Sequence, residues 1–300
     1  MMFTARLAFC LLLFYGSALP FPAGADDSPD YALPPGQTSD YSTVLNNQSE
    51  RVSLFEYGGR SLILIVDFPD LVEQGKMFNR VVALIERIGA PRSRVMNNDE
   101  LAQFIRSVGK SESTFAYGND FLVSELVVFF NLADMGGIQL NAQEIALRRK
   151  LIDYRLIVER TGFYQAIKPQ AVILSIPQET TGRSGGPQVS ALARKTILMH
   201  EISHAEYYTN RLYANYCRHF WRNVMTESQR TAFRSFLSRS SYNPDNEEMM
   251  VNETQAYLLY TPDPRAFNAR LVGLKDKELE NLRTQFFSGF PEAPLAELRK

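Results

Sequence analysis

The stretch "TILMHEISHAEYY" (196–208) decides how the rest of the chain is read. Of three histidines in 300 residues, two, His200 and His204, stand four positions apart around Glu201. Residues 189–208 contain neither glycine nor proline, and Pro187 suits the first turn of a helix, so a helix over 189–208 is expected. Positions i and i+4 lie one turn apart on a helix face, which points both imidazoles at one ion. Zinc accepts neutral imidazole nitrogens, and a catalytic zinc takes three protein ligands and keeps one position for water. Glu201 is then turned toward that water, where it can take a proton and hand it to a leaving amine. Chance alone places H-E-x-x-H in about one chain of this length in a hundred, so a third ligand must carry part of the argument. Without one, the stretch is a solvated helix face with two incidental histidines.

Downstream, the metzincin continuation H-x-x-G-x-x-H is ruled out, because Tyr207 and Asn210 occupy the required glycine and histidine positions. The segment "NPDNEEMMVNETQAYLLYTPDP" (243–264) supplies a second helix. Asn243 is its expected cap, Pro244 its first residue, and Asp245, Glu247 and Glu248 complement the dipole of its first turns. Glu253 has no such role. It shares a stripe with Met249, Met250, Ala256, Tyr257 and Tyr260, and a carboxylate on an apolar stripe is paired, hydrogen-bonded or bound to metal. Glu253 is therefore the candidate third ligand, with Glu248 and His219 behind it.

"HEISH" (200–204) followed by a helix carrying "NETQAY" (252–257) resembles the gluzincin branch of zinc metallopeptidases, in which a glutamate on a second helix completes H-E-x-x-H. The resemblance spans 171–260. It implies Zn2+ held by His200, His204 and Glu253, with Glu201 as base, acting on a peptide or protein substrate. It also implies an α+β, zincin-like fold: a small mixed sheet packed on the H-E-x-x-H helix, with a mostly helical C-terminal part. In such enzymes an antiparallel edge strand before the active helix pairs with extended substrate. "AVILSIP" (171–177) is placed to be that strand, or equally to be a plain core strand. An oxyanion donor is also implied, and Tyr257 is named first, ahead of Tyr260, Tyr213 and His219. Many gluzincins carry Asp four residues after the ligand glutamate as a partner for a histidine, whereas Tyr257 stands there in this chain.

Upstream, Arg6, the apolar run "LAFCLLLFYGSAL" (7–19), Pro20, Pro22 and "AGA" (23–25) have the order of a secretory signal peptide. The run falls short of the roughly 20 residues that span a bilayer, so no membrane span is expected after its removal. Phe9 is too bulky to precede a lipidated Cys10. The mature chain is then expected in the periplasm or outside the cell, with Cys217 as its one cysteine and no internal disulfide. Asn47 and Asn252 both head N-glycosylation triplets, and a glycan beside Glu253 would obstruct the site, which favours a bacterial envelope or secreted protein. A net charge of -1 gives no pull toward nucleic acid, and no nucleic-acid partner is expected.

The expected organisation is a signal peptide over 1–25, an extended leader over 26–51, an N-terminal α/β region over 52–165, the zincin-like core over 166–275 and a helical tail over 276–300. Strands are expected at 61–68 and 171–177, and helices at 71–88, at 99–108 capped by Asp99, and at 143–159. The apolar stretch 121–140 contains Glu125, Asn131 and Asp134 and reads as core rather than membrane. The leading expectation is an exported zinc metallopeptidase. The alternatives are a catalytically inactive zincin-like binding protein of the envelope and a zinc amidase acting on cell-wall cross-links. The sequence carries no signal that sets the oligomeric state.

Overall fold

Two aliphatic runs, "ILIVDF" and "VILSIP", form strands in which every residue is buried, the mark of a sheet covered on both faces. The computed structural model that shows this describes residues 31–58, 62–181, 186–240 and 242–295. In chain order its elements begin with β1 (Gln37–Ser39), α1 (Tyr41–Leu45), β2 (Ser53–Tyr57), β3 (Ile63–Phe68), α2 (Leu71–Ile85), α3 (Asn98–Ser107), β4 (Asn119–Leu122) and α4 (Val123–Met135). There follow α5 (Ala142–Asp153), β5 (Ile157–Arg160), β6 (Phe163–Ala166), β7 (Val172–Pro177), α6 (Ala191–Thr209) and α7 (Arg211–His219). The C-terminal part comprises α8 (Glu227–Arg239), α9 (Glu247–Tyr260), α10 (Ala269–Val272) and α11 (Asp276–Gly289).

The fold is α+β with a mixed sheet of order β1-β2-β3-β7-β4. The central pair β3–β7 is parallel, with Ile65 opposite Leu174, while β4 runs antiparallel to β7, with Phe121 opposite Ile173. Alternation along the strands feeds two cores. Leu64, Val66, Phe68 and Ile173 join residues of α2 and α4 on one side, and Ile63, Ile65, Val172, Leu174 and Ile176 join α6 and α9 on the other.

The structure departs from the sequence expectations in several places. Residues 31–51 are not an extended leader: β1 pairs with β2, and Tyr41 and Val44 of α1 enter the α6 core. Their apolar side chains are too widely spaced to show a period. The boundary between 52–165 and 166–275 does not separate two structural units, because β7 sits between β3 and β4 in one sheet. The tail is not separate either, since Leu279, Leu282 and Phe286 of α11 belong to the same core as α6. The helix expected over 143–159 stops at Asp153, where Arg155 takes a left-handed φ of 53° and the chain enters the β5–β6 hairpin.

Helix starts also differ. Ser190, Asn246 and Asn97 cap α6, α9 and α3, in place of the expected starts at Pro187, Asn243 and Asp99. Each accepts a hydrogen bond from the backbone N–H three residues on, the contact that defines a cap. Asn243 instead accepts from Asp245 N within the preceding turn. Among the described residues no helix is long and apolar enough to cross a membrane, and 121–140 divides into β4 and α4. The expected signal peptide lies outside the described residues, as do 182–185 of the loop before α6 and 296–300 of the tail.

Candidate metal centre

Helix α6 carries His200, Glu201 and His204 through the middle of the molecule. It packs on β7 and β4 on one side and on α9 and α7 on others, so it is buried almost all round, polar residues included, and shows no amphipathic stripe. Its N-terminal end is anchored by Arg194, whose guanidinium donates to both Asp67 carboxylate oxygens at 2.8 and 3.0 Å and to the carbonyls of Val44, Leu45 and Pro177. One buried ion pair thus ties α6 to β3, β7 and α1. At the other end Asn210 closes α6 and caps α7.

Helix α9 packs along α6 and brings Glu253 against the histidines. His200 Nε2 stands 3.8 Å from Glu253 Oε2, and His204 Nε2 stands 3.7 Å from Glu253 Oε1. The ring centroids of the two histidines are 4.7 Å apart at 80°. All three side chains are buried, and one donor atom from each lies within 4.8 Å of the others. Ligands about 2.0–2.1 Å from a tetrahedral zinc stand about 3.3 Å apart, so each imidazole–carboxylate distance lies within roughly half an ångström of that spacing. His200, His204 and Glu253 could therefore hold a metal ion.

The electrostatics suit a cation. Burial, reinforced by neighbouring His204, holds the His200 imidazole well below its ordinary pKa and so in the neutral form that metals bind. Burial also pushes the Glu201 carboxyl well above the usual range, and Asp120, Glu86 and Glu253 push it further. A divalent ion would offset this crowding of carboxylates.

The distal nitrogens of the histidines are engaged as well. His200 Nδ1 lies 2.9 Å from Thr261 Oγ1, and His204 Nδ1 lies 3.0 Å from Asn252 Oδ1. Both partners are neutral, and neither is at position 257, where the resemblance led us to look for Asp and where Tyr257 stands. The Tyr257 ring meets His200 edge-on at 5.0 Å and also packs on Phe236 and Phe267.

The other sequence candidates lie elsewhere. Glu248 pairs with Arg218 and accepts from the Tyr207 hydroxyl at 2.7 Å. His219 is exposed beside Asn223. Tyr213 donates to Gln255 Oε1 at 2.6 Å, and Tyr260 lies next to it. The strand "AVILSIP" is interior, not an edge, because both its sides are paired. Asn252 is buried with its amide nitrogen donating to Tyr208 Oη at 2.6 Å, so the second glycosylation triplet is closed within the folded chain.

Sequence reasoning missed the strand that does form an edge. β4 pairs with β7 alone among the described residues and lies against α6. Gly118, just before it, abuts Glu201: a Cβ there would meet Glu201 Oε1 at 2.5 Å and Ile197 Cγ2 at 2.6 Å. Asp120 follows two residues on. Tyr242 was missed as well; burial, and then the nearby Glu253, Tyr257 and Glu201, hold its phenol well above the ordinary pKa. A lone glycine and a tyrosine between helices carry no periodicity that would mark them.

Comparison with known proteins gives no match: no protein-family model, no curated protein and no solved structure matches the chain.

Proposed function

We propose that the protein is an exported zinc-dependent metallopeptidase of zincin-like architecture, with His200, His204 and Glu253 as ligands. The observation that carries this reading is the convergence of two imidazole nitrogens and one carboxylate in the buried interior, with the neighbouring Glu201 carboxyl against Gly118 at the start of the edge strand β4. When bound, zinc supplies Lewis acidity toward water and toward a carbonyl oxygen. Glu201 takes the proton of the attacking water and passes it to the leaving amine nitrogen. Burial raises its affinity for a proton, which suits a group that must accept one.

Tyr257, whose ring packs edge-on against His200, offers a phenol for the oxygen on which negative charge develops. An extended peptide adds along the open side of β4, where main-chain hydrogen bonds hold it beside Glu201. The N-terminal pattern of 1–25 supports export to the periplasm or the medium. The same groups would serve an amidase acting on cell-wall cross-links, and substrate profiling separates the two.

The test is Glu201→Gln, zinc-loaded and compared with wild type on mixed peptide pools by mass spectrometry. The expected result is cleavage by wild type and a loss of about 10²–10⁴-fold in the variant at equal zinc content. Undiminished cleavage by the variant contradicts the reading.

A further inference from the structure

Building on the metal-centre reading, we infer that Asn252 and Thr261 are positioning residues that lock both ligand histidines in the Nδ1–H tautomer, so that the metal site is preformed and its supporting shell carries no charge. The protons available along two chains of hydrogen bonds fix both tautomers.

The Thr261 hydroxyl has one proton, and it donates that proton to the Ala256 carbonyl at 3.0 Å. Its contact with His200 at 2.9 Å must then be one in which Thr261 accepts, so Nδ1 of His200 carries the hydrogen. The lone pair is left on Nε2, which faces Glu253.

For His204 the chain is longer. Ser203 spends its hydroxyl proton on the His200 carbonyl at 2.7 Å, so it accepts from Gln255 Nε2 at 3.2 Å. That fixes the Gln255 amide with Oε1 outward, where it accepts from the Tyr213 hydroxyl at 2.6 Å. Gln255 Nε2 also donates to Asn252 Oδ1 at 3.1 Å, which fixes Asn252 with its oxygen toward His204 and its nitrogen toward Tyr208. His204 Nδ1 can only donate to that oxygen, at 3.0 Å, and its Nε2 lone pair faces Glu253. Amide and tautomer assignments normally rest on such networks, and here each assignment demands the next.

Apart from the half-buried Tyr208, the side chains of this network are buried, so most of its bonds are made in surroundings where an unmade one is costly. Asn252 and Glu253 are adjacent on α9, so the residue that orients one ligand is rigidly linked to another ligand. Unlike a carboxylate, the amide and hydroxyl oxygens leave the imidazoles unpolarised by a second negative charge, which weakens them as donors to the metal. Asn252→Asp is nearly isosteric, and its carboxylate would accept from His204, Gln255 and the Tyr208 hydroxyl alike.

The test is zinc affinity, read by competition of the metal-free full chain with a chromophoric chelator, alongside the nitrogen-15 spectrum of the imidazoles without metal. Thr261→Val and Asn252→Leu are expected to weaken zinc binding by about 10–100-fold each. Thr261→Ser, which restores the hydroxyl, is expected to bind as wild type, and Asn252→Asp more tightly. The spectrum is expected to show Nδ1–H on both His200 and His204. Thr261→Val and Asn252→Leu folded and binding within twofold of wild type, or Nε2–H on either histidine, overturn the inference while leaving the metal site standing. A folded wild type that binds no zinc removes the metal-centre reading and this inference together. Absence of hydrolysis by a zinc-loaded wild type affects the proposed activity alone.

Discussion

Replacing Gly118 by alanine puts one methyl group between the edge strand and Glu201. Built on the existing backbone, that carbon comes within 2.5 Å of Glu201 Oε1, 3.0 Å of Glu201 Cδ and 2.6 Å of Ile197 Cγ2. Ordinary contact begins near 3.4 Å, so the carboxylate and α6 must retreat by roughly 1 Å in a region with no slack, where Glu201 and Ile197 are both buried. Overpacking of this kind costs about 1–3 kcal/mol. Because two of the three close contacts are to Glu201, Glu201→Ala should absorb much of the cost, leaving the Ile197 contact. The coupling between the two substitutions is expected to be about 1 kcal/mol or more. Urea unfolding of the metal-free wild type, both single variants and the double variant gives the cycle. A Gly118→Ala loss under about 0.5 kcal/mol, or an equal loss with and without Glu201, would refute the placement of Glu201 beneath β4.

Other outcomes follow from the same contacts. Arg194→Met strands the fully buried Asp67 carboxylate and releases three backbone carbonyls, so a loss of about 3–5 kcal/mol in urea unfolding is expected; a loss below 1 kcal/mol contradicts the anchoring role. Zinc at 100 times its dissociation constant should stabilise the wild type by about 2.7 kcal/mol in thermal unfolding and leave Glu253→Ala unmoved. Burial raises the Cys217 thiol far above its ordinary pKa, so a thiol reagent at pH 8 should leave folded residues 26–300, which lack Cys10, unlabelled and label them after urea unfolding; rapid native labelling would place Cys217 at the surface. Gly289→Ala would set a carbon 2.2 Å from Tyr216 Oη, so it should lower the melting temperature, with partial recovery on adding Tyr216→Phe.

The three ligand candidates were legible because each broke a local rule. Two histidines at helical spacing and a carboxylate on an apolar stripe stand out in any helix. The strands at 63–68 and 172–177 were legible from continuous aliphatic runs. What escaped depends on pairing between distant segments. Whether "AVILSIP" is interior or edge is set by β4 arriving beside it, and β4 is hidden at the start of an apolar stretch that becomes α4 one residue later. Gly118 matters because of what α6 places against it, and Thr261 and Asn252 matter because of hydrogen bonds to residues on another helix. The helix caps were missed by three residues or fewer, since several Asn, Ser and Asp side chains compete near each start and backbone geometry selects one.

Metal content of the purified chain, residues 26–300, addresses the whole account through one number. The wild type is expected to carry about one zinc after repletion and removal of excess, and Glu253→Ala and His204→Ala to carry almost none while keeping the wild-type circular dichroism. A folded wild type that retains no metal would make "HEISH" a coincidence of helix sequence, and the buried histidines and Glu253 would need another explanation.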